Sequence, residues 1–90
     1  ILFAKIFDVS IAFVLTNTEL SSDMEIIGKI KDILANEKDI EYEIQGVYGI
    51  YDIVLKISSN NEKKLRAIIT NKIRKIDNVQ STLTMMVIEE

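Results

Sequence analysis

The chain of 90 residues has no cysteine, no histidine, no proline and no tryptophan, and only three glycines. Without cysteine there can be neither disulfides nor thiolate metal sites. Without histidine, the commonest general base, the usual nitrogen ligand for metals and the proton carrier of a Ser–His–Asp triad are all missing. Only carboxylate chemistry is left to an enzyme, so neither catalysis nor a metal or cofactor is expected. Beyond Phe3 and Phe7 in the opening segment, aromatic residues are few and scattered: Phe13, Tyr42, Tyr48 and Tyr51. A sheet that stacks RNA bases needs aromatics on its central strands within a basic surround. Here Phe13 stands alone on its segment and the segment around Tyr42 carries Glu41 and Glu43, so no direct nucleic-acid partner is expected. Long apolar runs are lacking as well. The opening Ile-Leu-Phe-Ala-Lys-Ile-Phe is interrupted by Lys5 and followed by Asp8, well short of the roughly 20 apolar residues that a membrane span needs. It has neither the basic flank nor the small-residue cleavage site of a signal peptide. The expectation is a cytoplasmic protein without a membrane partner, with residues 1–10 as an extension ahead of a domain at residues 11–90.

What is present is apolar and charged in separate places. A chain of this length makes one small domain that buries about 60–65% of its extended surface. At 48% hydrophobic it carries more apolar material than one such core needs, and self-association is the natural outlet. The net charge is −3. Residues 19–43 hold eight acids against three lysines, and residues 61–77 hold six basic residues against two acids. The simplest reading of the basic stretch is a helix with a solvated outer face. The split also offers head-to-tail attraction between subunits.

Six elements can be read from the patterning. Residues 11–18 are β-rich and read as a strand. Ser22 with Glu25 makes a capping-box pattern, and Ile26, Ile27, Ile30, Ile33 and Leu34 then recur at helical spacing, with Asn36 as a left-handed stop. Residues 40–48 alternate Ile40, Tyr42 and Ile44 with Glu41, Glu43 and Gln45, a half-buried strand. Residues 51–58 alternate in the same way and pair with it as a hairpin with almost no turn. Residues 59–62 start a second helix, whose stripe is Leu65, Ile68, Ile69, Ile73 and Ile76. Residues 79–88 form the last strand, with Val79, Leu83, Met85 and Val87 on one face. This βαββαβ order predicts an α+β split-βαβ sandwich: a four-stranded antiparallel sheet with both helices on one face. The other face, expected to carry Val54, Thr84, Met86 and Ile88, is too apolar to stay wet and predicts a sheet-on-sheet dimer.

The candidate site is the stretch between the hairpin strands. Gly46 and Gly49 allow close backbone approach, and Asp52 puts a charge among large apolar neighbours. One reading is a glycine-assisted turn in which Asp52 accepts backbone N–H bonds. The other is a zwitterion site, with Asp52 on an ammonium group and turn N–H groups on a carboxylate. Ser81, Thr82 and Thr84 are good strand formers whose hydroxyls are also available to a polar ligand. Glu41 and Glu43 share a strand face at two-residue spacing, a pattern open to metal binding but far more often plain surface.

Three segments together resemble the effector domain of Lrp/AsnC regulators, the RAM module (regulation of amino-acid metabolism). They are Ala-Phe-Val-Leu-Thr-Asn-Thr-Glu at 12–19, Val-Tyr-Gly-Ile-Tyr-Asp-Ile-Val at 47–54, and the run from Ile68 to Thr84 ending Asn-Val-Gln-Ser-Thr-Leu-Thr. The resemblance covers about residues 11–88. It implies a ferredoxin-like fold that dimerises through its sheets as an α+β barrel-type dimer, with dimers assembling into an octamer or similar ring. It also implies an amino-acid effector bound where dimers meet, contacted here by Tyr48, Gly49, Tyr51 and Asp52 of the turn and by Ser81, Thr82 and Thr84 of the last strand. The helix-turn-helix domain of full regulators is not recognisable in residues 1–10, so the sequence reads as a stand-alone effector module. Two other readings stay open: a purely structural module that co-assembles with a full-length Lrp/AsnC regulator, and a small dimeric α+β barrel enzyme.

Overall fold

The computed structural model describes residues 9–19 and 21–88; of the extension expected at residues 1–10, residues 1–8 lie outside them and Ser10 already belongs to the first strand. The elements run β1 (Ser10–Thr18), α1 (Asp23–Ala35), β2 (Ile40–Gly46), β3 (Ile53–Ser59), α2 (Glu62–Ile68) continued by one wide turn (Ile69–Ile73), and β4 (Val79–Met86). The strands form one antiparallel sheet in the order β2-β3-β1-β4. This is the βαββαβ sandwich that the patterning predicts.

The core lies between one face of the sheet and the helices. Ala12 and Val14 of β1 and Ile53, Leu55 and Ile57 of β3 point inward, and Ile26, Ile30 and Leu34 of α1 and Leu65, Ile68, Ile69 and Ile73 pack on them. Each fully buried aliphatic side chain contributes about 1.5–3 kcal/mol relative to exposure, so this inward register holds the fold.

The second helix differs from a regular one for a reason visible in its sequence. Counted from Leu65, the apolar face of an α-helix includes positions seven and eight further on, which are Lys72 and Ile73. A regular helix would drive Lys72 toward the core. Instead Arg74 N–H donates to Ile69 O five residues back, and the extra residue in that turn absorbs the mismatch. Ile73 stays buried, and the Lys72 ammonium comes out at the rim, 3.0 Å from Glu37 Oε2. Lys64 approaches Glu37 Oε1 at 3.4 Å and Asp39 at 3.7 Å. The hydrogen bond from Lys72 is the largest effect and holds the Glu37 carboxyl below its ordinary pKa; desolvation opposes it, and the hydrogen bond from Lys64 and the charges of both lysines add to the lowering.

Several local expectations are corrected. Ser22 is the N-cap of α1 but makes no capping hydrogen bond through its side chain, whereas Asn61 caps α2 by accepting from Lys64 N–H at 3.1 Å. Asn36 ends α1 at φ −89°, not left-handed. The left-handed asparagine is Asn78, at φ 73° in the turn into β4, a conformation asparagine tolerates better than most residues. β2 stops at Gly46 and β3 begins at Ile53, so the strands are joined by residues 47–52 and not by a tight turn.

The faces of β4 are also exchanged. Ala12 pairs with Met86, Val14 with Thr84 and Thr16 with Thr82, so these β4 residues share the helix-covered side. Between Asn17 opposite Ser81 and Thr18 opposite Val79, a bulge leaves Gln80 unpaired, and this places Val79 against the core. A single inserted residue flips the alternation. The open face of the sheet therefore carries Phe13 and Leu15 of β1, Leu83 and Met85 of β4 and Val54 of β3, not Thr84 and Met86. Toward β2 it turns polar, with Glu43 opposite Lys56 and Glu41 opposite Ser58.

Candidate functional site

The candidate site sits at the end of the sheet where β1 finishes and the loop between β2 and β3 protrudes. The loop is closed at its base by Val47 N–H donating to Asp52 O at 2.9 Å. Asp52 N–H donates to Thr16 O at 2.9 Å and extends the β1–β3 ladder past Ile53. The Asp52 side chain then continues what the backbone leaves unfinished. Thr18 N–H donates to Asp52 Oδ2 at 2.9 Å, and the Thr18 hydroxyl lies 3.4 Å from the same oxygen. Both contacts fall on Oδ2, and no donor among the described residues reaches Oδ1. The carboxylate is half-buried, where a charge-assisted hydrogen bond is worth more than in open water.

Beyond this anchor the loop is bare. Gly49 adopts φ +141°, a conformation that disfavours any side chain. Tyr48 on one side is fully exposed and Ile50 on the other is 85% exposed, while Tyr51 folds back to a half-buried position. Met24, in the first turn of α1, is likewise exposed. An apolar tip of this kind, beside a tethered carboxylate, has nothing to rest on among the described residues.

The expected site residues do not all converge. Tyr48, Gly49, Tyr51 and Asp52 share the loop. Ser81 lies on the open face, where Asn17 Nδ2 donates to its hydroxyl at 3.3 Å. Thr82 is on the helix side, paired with Thr16, one step from the Asp52 anchor. Thr84 lies opposite Val14, further down the sheet, and lines a separate groove with Arg66 and Arg74. Glu41 and Glu43 are exposed, and no group of three or more acidic side chains among the described residues is arranged to hold a metal.

Two residues were missed by reading the sequence. Thr18 is the direct partner of Asp52, and Thr16 Oγ1 is a buried hydroxyl without a hydrogen-bond partner among the described residues. The signal was present: the inward residues of β1 change from Ala12 and Val14 to Thr16 and Thr18, turning polar at the end that meets Asp52. No helix among the described residues is long and apolar enough to cross a membrane.

A ferredoxin-like sandwich with an anchored acid beside a protruding glycine loop defines a small ligand-binding module. The Lrp/AsnC ligand binding domain model matches residues 11–90, and the chain belongs to that family. The crystal structure of FFRP-DM1 is 34% identical, with TM-score 0.71, over 88% of this chain and 99% of that one. Protein PHS023 from Pyrococcus horikoshii is also 34% identical, with TM-score 0.71, over 90% of this chain and 92% of that one. AsnC of E. coli is 25% identical, with TM-score 0.71, over 93% of this chain but 53% of its own length, so the chain spans about half of that regulator. Among curated protein sequences none matches. The family is a regulatory, effector-binding one whose domains typically oligomerise.

Proposed function

We propose that residues 11–90 sense a free amino acid at an interface between subunits and convert its binding into a change of assembly that modulates transcription of amino-acid metabolism genes in the cytoplasm. Asp52 takes the ammonium group through Oδ1, and N–H groups of the loop around Gly49 take the carboxylate. Tyr48 and Tyr51 flank the ligand, with Ser81 and Thr82 offering hydroxyls from β4; Thr84 joins this set on the resemblance alone. The module does no chemistry on its ligand.

The observation that carries this reading is the half-tethered Asp52. Thr18 fixes one carboxylate oxygen, and a side chain already held in place loses little conformational freedom on binding. Its neighbours Tyr48 and Ile50 are uncovered, so a second subunit seated on the tip would enclose the ligand and complete the site. A ligand biases an assembly only by as much as it prefers one state, and a site completed by assembly supplies that preference. The open sheet face, with Phe13, Leu15, Leu83 and Met85, supplies the surface for the primary dimer.

The test is a screen of the twenty amino acids by thermal melting and by light scattering. One or a few should raise the melting temperature and change the mass, and Asp52→Ala should abolish both responses. A screen in which no amino acid moves either quantity refutes the proposal. A mixed oligomer with a full-length regulator in native extract, formed equally by Asp52→Ala, would instead favour the purely structural role.

A further inference from the structure

We infer that the groove between α2 and the edge strand β4 is a second, anion-binding site, suited to a phosphoryl group carried on a small apolar body. It does not rest on the effector reading, since it uses neither the loop nor Asp52.

Arg66, Thr70 and Arg74 line one side of a groove of about 300 Å3, and Thr84 and Met86 line the other, over Ile69. The three helix residues recur every four positions, so they stack along one helix face. Eight residues of helix put the two arginines about 12 Å apart along the axis, near enough for both long side chains to converge over the Thr70 hydroxyl. β4 is an edge of the sheet. Val87 N–H donates inward to Ile11 O, and in an antiparallel ladder the bonding direction alternates along the strand. The backbone N–H of Thr84 and of Met86 therefore points outward, away from β1, with no strand beyond it among the described residues. Two guanidiniums, two hydroxyls and free edge amides are all donors suited to a tetrahedral oxyanion. Ile69 and Met86 give the floor an apolar character.

Of the other cations on this helix two are engaged, while Lys63 and Lys75 make no ion pair among the described residues and do not line the groove. Lys64 and Lys72 are tied to Glu37. Arg66 is positioned by Glu62, with Nε 2.9 Å from Oε2, which leaves the terminal nitrogens of its guanidinium to a ligand. Arg74 makes no ion pair among the described residues. In a chain of net charge −3, two guanidiniums over one concavity are a local reversal of sign.

Amide-resolved NMR titration at low ionic strength tests this on the intact chain, with inorganic phosphate, phenyl phosphate and benzyl alcohol as probes. Saturable shifts at Thr70, Arg74, Thr84 and Met86 are expected, with a dissociation constant on the order of 1–10 mM for phosphate at such exposed arginines. Phenyl phosphate should bind about threefold tighter if the Ile69–Met86 floor takes the ring, and equal affinities would reduce the ligand to free phosphate. Benzyl alcohol should leave these amides unmoved. The double variant Arg66→Gln/Arg74→Gln, at solvent-exposed positions, should fold normally and weaken phosphate about tenfold or more. Lys75→Gln should leave binding unchanged. Shifts that do not saturate, or that survive the double variant, or that fall equally with Lys75→Gln, overturn the inference.

Discussion

The two faces of β1 both carry apolar side chains and have opposite fates. Ala12 and Val14 are wholly buried beneath the helices, while Phe13 and Leu15, one residue along in each case, are only half-covered on the open side. One face is completed within the chain, and the other is the one proposed above to meet a neighbouring subunit. The same contrast recurs on β4, where Val79 and Met86 pack against the core and Leu83 and Met85 stay exposed. In the proposed assembly, folding and association draw on alternate residues of the same strands, and substitutions on the two faces should have separable effects.

The largest effect should come from the covered face. Leu55 is fully buried at the centre of the sheet, and Leu55→Ala should cost about 2–5 kcal/mol through lost burial and the cavity left behind. Urea denaturation gives the value directly. On the open face, Leu15→Glu should leave the far-ultraviolet circular dichroism intact and reduce the mass in light scattering to that of the single chain. Melting temperature should then cease to depend on protein concentration, as expected when an assembly linked to folding is removed. If Leu15→Glu unfolds the chain outright, folding and assembly are not separable in this way and the contrast between the faces fails.

The order of elements and the inward stripes were legible because helical and strand periods are written plainly in isoleucine, leucine and valine. The register of β4 was not. The bulge at Gln80 keeps Val79 on the core side but exchanges the faces of Leu83, Thr84, Met85 and Met86, and nothing in a run such as Val-Gln-Ser-Thr-Leu-Thr distinguishes a bulged alternation from a regular one. The hairpin failed for a related reason. Tyr48 and Tyr51 extend the strand pattern, but the glycines at 46 and 49 let the chain leave the sheet between them. In the candidate site the loop and its acid were visible, whereas Thr18, the residue that orients the acid, lies 34 positions away and reaches it only through the β1–β3 pairing.

Asp52 sharpens the comparison because it belongs to both regimes. It finishes the β1–β3 ladder within one chain, and in the proposed function it receives a ligand shared with the next. Asp52→Ala leaves the Thr18 N–H without its acceptor and should cost about 1–2 kcal/mol in unfolding free energy as well as the response to effector. Thr18→Val keeps the backbone bond and removes only the hydroxyl at 3.4 Å. It should therefore cost less stability while loosening the carboxylate, with effector affinity falling more than folding. Thr18→Ser should restore that affinity, and equal losses in Val and Ser variants would make the hydroxyl irrelevant.

The smallest effect belongs to the rim of the covered face, where Glu37 joins the end of α1 to α2 through Lys64 and Lys72. Its folded pKa lies below the ordinary value of 4.5, so its contribution is fully present above that value and is lost as pH falls through the depressed folded pKa. The melting temperature of the natural chain should therefore drop more steeply than that of Glu37→Gln as the solution is taken from neutral pH to below 4.5, and the two curves should converge at the acid end. Both lysines are at the surface, so added salt should shrink the gap at neutral pH. Parallel curves would mean that the ion pairs record where the wide turn puts Lys72 without holding it there, and that burial of Ile73 alone fixes the turn.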